Sequence, residues 1–81
     1  MKIKYDKETD ILYIQLAVEP IAESDEQREG IIFDFNEAGK IVGIEILNAS
    51  QRVPQPTEME YELAWYPLPK KNRDKSVFKQ K

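Results

Sequence analysis

Asp34 and Glu45 are the two residues whose types and spacing come nearest to a catalytic pair. Both carboxylates fall on the same face of a hairpin that the surrounding sequence predicts. In that hairpin Asp34 lies opposite Ile41, and Glu45 is further along the same strand as Ile41. At about 3.4 Å per residue the carboxylates are about 14 Å apart, beyond the roughly 6.5–9.5 Å of an inverting glycosidase pair. We therefore expect structural roles, with Asp34 bonded to amides of the turn and Glu45 paired with a basic side chain.

Other catalytic chemistries lack the residues they need. The chain has no histidine and no cysteine, which removes the commonest general base, a common metal ligand and the thiolate nucleophile. Asp6, Glu8 and Asp10 have the spacing of the first oxygen ligands in a calcium loop. No glycine follows at the sixth position, however, and no glutamate at the twelfth. The sequence therefore predicts no catalytic residues, no metal and no cofactor, in a protein that is not an enzyme.

The hairpin is predicted by two apolar runs on either side of Asn36-Glu37-Ala38-Gly39, a turn whose glycine can adopt a positive φ. A loop of residues 36–39 places Phe35 opposite Lys40 and Phe33 opposite Val42. This register defines one strongly apolar face and a second face that is half apolar. We expect both faces to be covered at least in part.

Gly43 lies in the middle of the second run, opposite Ile32 in this register. A glycine inside a strand costs conformational entropy, so its lack of a side chain must make room for something. We expect an aromatic ring of the same chain, either Tyr13 or Trp65. A ligand or partner lying against the bare strand is the alternative.

The N-terminal residues predict a second hairpin. Apolar and polar residues alternate over residues 2–6, and a polar turn leads into the apolar run 11–16. Pairing Tyr5 with Leu12 and Ile3 with Ile14 buries the apolar side chains together, whereas a one-residue slip would expose them.

The remaining segments are weaker signals. The acidic run 21–26 suits a short edge strand whose charges repel other edges. Residues 48–53 favour one or two helical turns capped by Asn48 or Ser50. Residues 57–66 alternate apolar and acidic residues and favour a strand, although Thr57 and Glu60 also match a helical capping box.

These elements predict a mainly β or α+β fold, a small antiparallel meander of five or six strands with at most one short helix. At 81 residues the chain is one small domain. We place its boundary at residue 69, followed by a basic, flexible tail at 70–81. A sheet this small with two partly apolar faces is hard to stabilise alone, so we expect a homodimer.

Two patterns in these elements resemble a small bacterial family, domain of unknown function 2283. They are Lys4-Tyr5-Asp6 with Asp10-Ile11-Leu12-Tyr13-Ile14, and Gly30-Ile31-Ile32-Phe33-Asp34 with Gly39, Val42-Gly43-Ile44-Glu45-Ile46-Leu47 and Ala49-Ser50. The resemblance spans roughly residues 2–53, and Asn48 stands where the family more often has Asp. It implies a compact β-rich domain without agreed catalytic residues. Some members look like partners of small ribonuclease toxins encoded beside them, which implies an antitoxin-like role.

Charge separates the body from the tail. Residues 1–69 carry 6 basic and 14 acidic side chains, a balance of −8, whereas residues 70–81 carry +5. An acidic body repels a phosphate backbone, so nucleic acid is an unlikely partner. Binding of nucleic acid by the basic tail alone is the weaker alternative. Neither a signal peptide nor a membrane span is recognisable, which predicts a cytoplasmic protein without membrane contact.

Two functions follow as hypotheses. The first is a non-catalytic protein-interaction module, antitoxin-like, whose acidic body suits a basic toxin and whose anchors are Tyr61, Trp65 and Tyr66. The second is a small-ligand-binding protein with a pocket lined by Tyr13, Trp65 and acidic groups. In both, we assign structural turn and strand roles to Asp34, Gly39, Gly43 and Glu45.

Overall fold

The computed structural model describes residues 1–69, which form one antiparallel sheet and a short helix, as the sequence predicts. In chain order the elements are β1 (Lys2–Asp6), β2 (Ile11–Gln15), β3 (Glu23–Arg28), β4 (Ile31–Phe35), β5 (Ile41–Leu47) and α1 (Ala49–Arg52). Across the sheet the order is β1-β2-β5-β4-β3. The chain therefore crosses from β2 to the far edge before returning, which is the one departure from a strict meander. Within the described part of the chain, no helix is long and apolar enough to cross a bilayer.

The N-terminal hairpin has the predicted register. Tyr5 lies opposite Leu12 and Ile3 opposite Ile14. Its turn is stabilised by Asp6, whose Oδ1 accepts the backbone N–H of Glu8 at 3.0 Å. Here a single alternating pattern determined the pairing, because any slip would have moved every apolar side chain to the other face.

The β4–β5 register differs from the prediction by two residues. The turn is one residue shorter than expected, because Asn36 rather than Phe35 pairs with Lys40, and Gly39 closes it at φ 82°. A β-bulge at Val42 then adds a second shift, so that Asp34 lies opposite Gly43. A shift of one residue moves every side chain of one strand to the other side of the sheet relative to its neighbour. A second shift of one residue moves the side chains back. The predicted faces are therefore right while the predicted neighbours are wrong.

The sheet has two faces of different chemistry. We call one the apolar face, because pairing and strand alternation place a row of large apolar side chains from four strands on it. These residues are Ile3, Tyr5, Leu12, Ile14, Ile31, Phe33, Ile44 and Ile46. We call the other the carboxyl face, defined by Tyr13, Ser24, Asp34, Gly43 and Glu45.

The apolar face is not covered by a second layer within the described residues. All of its side chains are only half-buried, and the buried apolar side chains of residues 1–69 are Val42 and Ala49 alone. A domain of this size depends on its core for stability, so two such residues make a very small core.

Residues 57–66 were predicted as a strand, and this was wrong. The segment forms neither strand nor helix, and its residues are exposed. Alternation sets which side chains share a side, but a strand also needs a neighbouring backbone to bond, and residues 1–69 offer this segment none. The tail at 70–81 and the roles considered for it lie outside the described residues.

The start of α1 is capped from a distant loop. The predicted cap residue Asn48 has a left-handed backbone and makes no capping bond with its side chain. Instead, Asp10 accepts the backbone N–H of Ala49 with its carbonyl at 2.9 Å. Its carboxylate accepts both the N–H and the Oγ–H of Ser50, at 3.0 and 2.7 Å. Tyr5 donates its hydroxyl to the same carboxylate at 2.6 Å. Asp10 thus joins the first turn of the chain to the helix.

Candidate functional site: a carboxyl pair beside Tyr13

The revised register brings together the carboxylates that the sequence analysis had separated. Asp34 lies opposite Gly43, and Glu45 is the next residue of β5 on that face. Such diagonal neighbours are about 7 Å apart along the sheet, within reach of a glutamate side chain. The two carboxyl groups are thus close enough for Asp34 to act on the protonation of Glu45. The prediction that they lie about 14 Å apart was therefore wrong, because it missed both the shorter turn and the bulge.

Asp34 is held at the centre of the carboxyl face. Its side chain has no solvent exposure, and its Oδ1 accepts the hydroxyl of Ser24 on β3 at 2.6 Å. Its other oxygen, Oδ2, is buried without a donor as long as Glu45 is a carboxylate. The expected bonds from Asp34 to the turn amides are not formed. Asn36 provides that stabilisation, since its Oδ1 accepts the N–H of Lys40 at 2.9 Å.

Glu45 has a perturbed acidity. Partial burial raises the pKa of Glu45 above its ordinary value of 4.5, and the hydrogen bond and charge of Asp34 raise that pKa further. A hydrogen bond between two carboxyl groups requires a proton, so the proximity of Asp34 makes Glu45 hold its proton more strongly than an isolated glutamate does. The expected pairing of Glu45 with a basic side chain is not found among residues 1–69.

Tyr13 covers the pair from the neighbouring strand. It lies opposite Glu45, and its ring leans across Gly43 toward Asp34. A Cβ atom on Gly43 would lie 2.5 Å from the Tyr13 hydroxyl and 3.1 Å from two ring carbons. Burial raises the pKa of Tyr13, and the charges of Asp34 and Glu45 raise it further. The missing side chain at Gly43 thus makes room for an aromatic ring, which is the first of the two explanations offered from the sequence.

Asp34, Glu45 and Tyr13 are groups that can exchange protons, but molecules from solvent have only restricted access to them. Glu45 and Tyr13 are half-buried and reach the surface, whereas Asp34 is fully enclosed behind them. A molecule arriving from solvent therefore meets Glu45 and Tyr13 first. Within residues 1–69 no group of three or more metal-binding side chains is assembled, here or elsewhere.

The aromatic residues proposed as partner anchors lie outside this site. Tyr61, Trp65 and Tyr66 are 79%, 87% and 68% exposed. Trp65 is therefore open to solvent, while Tyr13 packs over Gly43. The assignment of partner or ligand contacts to these residues stays a prediction.

Ser24 is the member of the site that the sequence analysis missed. As a nucleophile a serine needs a base, and the chain has no histidine, so the sequence suggests no chemical role for Ser24. Its role as donor to Asp34 depends on β3 pairing with β4 so that the two residues lie opposite each other. The tight turn at Gly30, where φ is 80°, is the sequence signal that could have suggested that pairing.

The comparisons agree with the resemblance noted from the sequence. Residues 2–50 match the family described as "Protein of unknown function (DUF2283)". No curated protein and no solved structure is significantly similar to the chain. The matched range contains all five strands, the carboxyl pair and the Asp10–Ser50 contact. The chain therefore belongs to the DUF2283 family.

Proposed function

We propose that the chain is a non-catalytic protein-interaction module that first associates with a second copy of itself through the apolar face. The observation that carries this proposal is the very small core, since only Val42 and Ala49 are buried apolar residues within 1–69. Eight large apolar side chains share one side of the sheet and remain half-buried. Covering them with the same face of a second copy gives both copies the second layer that a stable sheet needs.

The area of the apolar face indicates what else must take part. Four strands of about five residues cover about 17 Å by 19 Å, or roughly 330 Å². Two stacked faces would then bury roughly 660 Å² in total, below the approximately 1,200 Å² at the lower limit of a stable interface. A further contact surface is therefore needed on each copy.

The segment 57–66 supplies such a surface. Its apolar side chains alternate with acidic ones and are largely exposed, as Tyr61 and Trp65 illustrate. Its first part lies beside the apolar face, where Met59 and Ile3 line a cavity of about 490 Å³. Ten extended residues add roughly 330 Å² per copy, which raises the total to about 1,300 Å².

A basic protein is the partner we propose beyond self-association. The body of the chain carries a balance of −8, and β3 presents Glu23, Asp25 and Glu26 on an exposed edge. Such a surface steers a positively charged protein toward it. Together with the family resemblance, this charge supports an antitoxin-like role against a small basic ribonuclease toxin. A 1:1 complex with the product of the adjacent reading frame, weakened by salt, would support that role. Purified products that do not associate at low salt would contradict it.

Oligomeric state tests the self-association directly. Sedimentation equilibrium of the full chain over a concentration series is expected to show a dimer. Replacing Tyr61 and Trp65 together by Ser should weaken the dimer by about ten-fold or more, because exposed aromatic anchors contribute most to such contacts. Val18→Ser is the matched control, because Val18 is 88% exposed and lies outside the proposed interface. A monomer at every concentration, or equal dimerisation of the double variant, would overturn the proposal.

The second candidate function is small-ligand binding, and one observation favours it. Tyr13 lies against two carboxyl groups, a combination of aromatic and acidic groups that suits a polar ligand. Trp65, the other residue proposed to line that pocket, is 87% exposed. We rank this function second for that reason.

A further inference from the structure

Asp34 is an incomplete acceptor in a fully buried position. Its Oδ1 has one donor, the Ser24 hydroxyl, and its Oδ2 has none. A buried carboxylate is costly unless donors or an opposite charge surround it. This orphaned oxygen is an observation separate from the presence of two acids, because paired carboxylates elsewhere can be solvated or fully bonded. It indicates that the site lacks a donor or a cation.

The groups around Asp34 leave one direction from which that donor can come. Ser24 closes the side of β3, and the backbone at Gly43 forms the floor. Glu45 and Tyr13 reach the surface, and Tyr13 closes the site with its side chain rather than with backbone. A group entering between these two would meet two carboxyl groups and an aromatic ring.

Charged residues at neighbouring register positions do not fill the site. Lys4 on β1 lies opposite Tyr13, but it is exposed and forms no salt bridge with Glu45 or Asp34. On β3, Glu26 accepts the backbone N–H of Gly30 at 2.8 Å and adds a further negative charge on this face. The local balance around the pair is therefore negative, which favours a cation from outside.

We propose that Asp34, Glu45 and Tyr13 form a binding site for one guanidinium group, carried by an arginine of the protein partner. This inference rests on the interaction role proposed above. A guanidinium is planar and has five donors, so it can bond two adjacent carboxylates at once, and it can stack on the Tyr13 ring. An ammonium group lacks both the fork geometry and the flat face.

Charge balance gives the proposal a measurable signature. In the free protein a proton on Glu45 can complete the pair only below the folded pKa of Glu45, which lies above its ordinary value, and there the guanidinium replaces that proton. Binding one cation therefore releases up to one proton to the solvent, and the net charge of the site stays constant. Binding to a preformed pair of carboxylates would release none.

The test uses the full chain and three small probes. N-acetyl-arginine amide is the guanidinium probe, N-acetyl-citrulline amide is its uncharged isostere, and N-acetyl-lysine amide supplies an ammonium. We expect saturable shifts of the Gly43, Glu45 and Tyr13 amides in ¹H–¹⁵N spectra. A dissociation constant on the order of 1 mM for the arginine probe is expected for a single charge-assisted contact. Proton release is followed in unbuffered solution just above pH 4.5, where the raised pKa keeps more of Glu45 protonated in the folded protein than in the unfolded chain.

Two variants and one control assign the site. Glu45→Gln should weaken arginine binding by about ten-fold or more and abolish proton release, because its amide satisfies Asp34 permanently. Asp34→Asn should weaken binding similarly. Glu37→Gln removes the same charge from the exposed hairpin turn and should bind as the wild type does.

The outcomes are distinct. Saturable binding of the arginine probe with proton release supports the site. No saturation at about ten times the expected constant, or equal binding of the citrulline or lysine probe, overturns it. These results do not depend on the dimer, so a failed site and a failed interaction role remain distinguishable.

Discussion

Replacing Glu45 by Gln should stabilise the protein, although it changes a residue at the centre of the carboxyl face. In the wild type at neutral pH, Asp34 Oδ2 is buried beside a second carboxyl group and has no donor unless Glu45 keeps its proton. The glutamine amide is isosteric with the carboxyl group and supplies that donor at every pH. The substitution also removes the repulsion between the two acids.

The magnitude follows from the buried oxygen. Leaving a buried acceptor without a donor costs about 1–3 kcal/mol, and partial solvent screening of Glu45 favours the lower end, about 1 kcal/mol. For a domain of this size that corresponds to a rise in Tm of about 4–8 °C.

The gain should depend on pH in a defined direction. Glu45 has a pKa above its unfolded value of 4.5, so the folded wild type binds more protons than the unfolded chain in the window between the two values. Wild-type stability therefore falls as pH rises from 4.5 through the folded pKa. Below this window Glu45 is protonated and supplies the same hydrogen bond as glutamine, so the advantage of the variant disappears.

Thermal unfolding at one fixed protein concentration, over a pH series, measures this difference, with Glu37→Gln as the control for loss of one charge. Equal stability of Glu45→Gln and the wild type above the window would refute the reasoning. A gain that persists unchanged below pH 4.5 would refute it too, because it would show that the proton on Glu45 plays no part.

Three further substitutions test other features by thermal unfolding. Gly39→Ala should cost about 1 kcal/mol from its φ of 82° alone, because nothing lies within 4 Å of the added Cβ. Equal stability would contradict the turn geometry. Gly43→Ala should instead destabilise the protein by displacing the Tyr13 ring, so it should lower the free energy of unfolding by less when Tyr13 is already replaced by Phe. If the effects of the two substitutions on the free energy of unfolding simply add, the result would count against that contact. Asp10→Ala should lower the Tm at neutral pH. The hydrogen bonds from Tyr5 and Ser50 lower the pKa of Asp10 below 3.8, so its contribution is present above pH 3.8 and is lost as pH falls through the folded value. A deficit that is unchanged in acid would contradict the role of the Asp10 carboxylate.

The two hairpins show why some pairings could be predicted and others could not. For β1–β2, only one register buries Ile3, Leu12 and Ile14 together, so the apolar pattern determined it. For β4–β5, both faces contain apolar residues, and a two-residue displacement leaves each face the same. Hydrophobic patterning therefore could not distinguish the correct register from the displaced one. The bulge at Val42 and the three-residue turn had no signal in the pattern.

The candidate site depended on that distinction. Asp34 and Glu45 were predicted to share a face of the hairpin, which the structure confirms. The predicted distance between them was too long because the predicted register was displaced by two residues. For residues 57–66 the alternation of apolar and acidic residues was clear, but the described part of the chain contains no neighbouring strand with which they could pair. The pattern of polar and apolar residues determines on which side of a sheet each side chain lies. The distances between side chains and the pairing of strands also depend on turns and bulges.

The contact between Asp10 and Ser50 has a consequence for changes in the C-terminal segment. The range shared with the family ends at Ser50, and Ser50 is the residue that the Asp10 carboxylate holds. All five strands and this contact lie inside the shared range, whereas the end of α1 at Arg52 and the exposed aromatic segment lie beyond it. Changes within residues 57–66 would therefore leave the backbone pairing of the sheet and the Asp10–Ser50 contact in place.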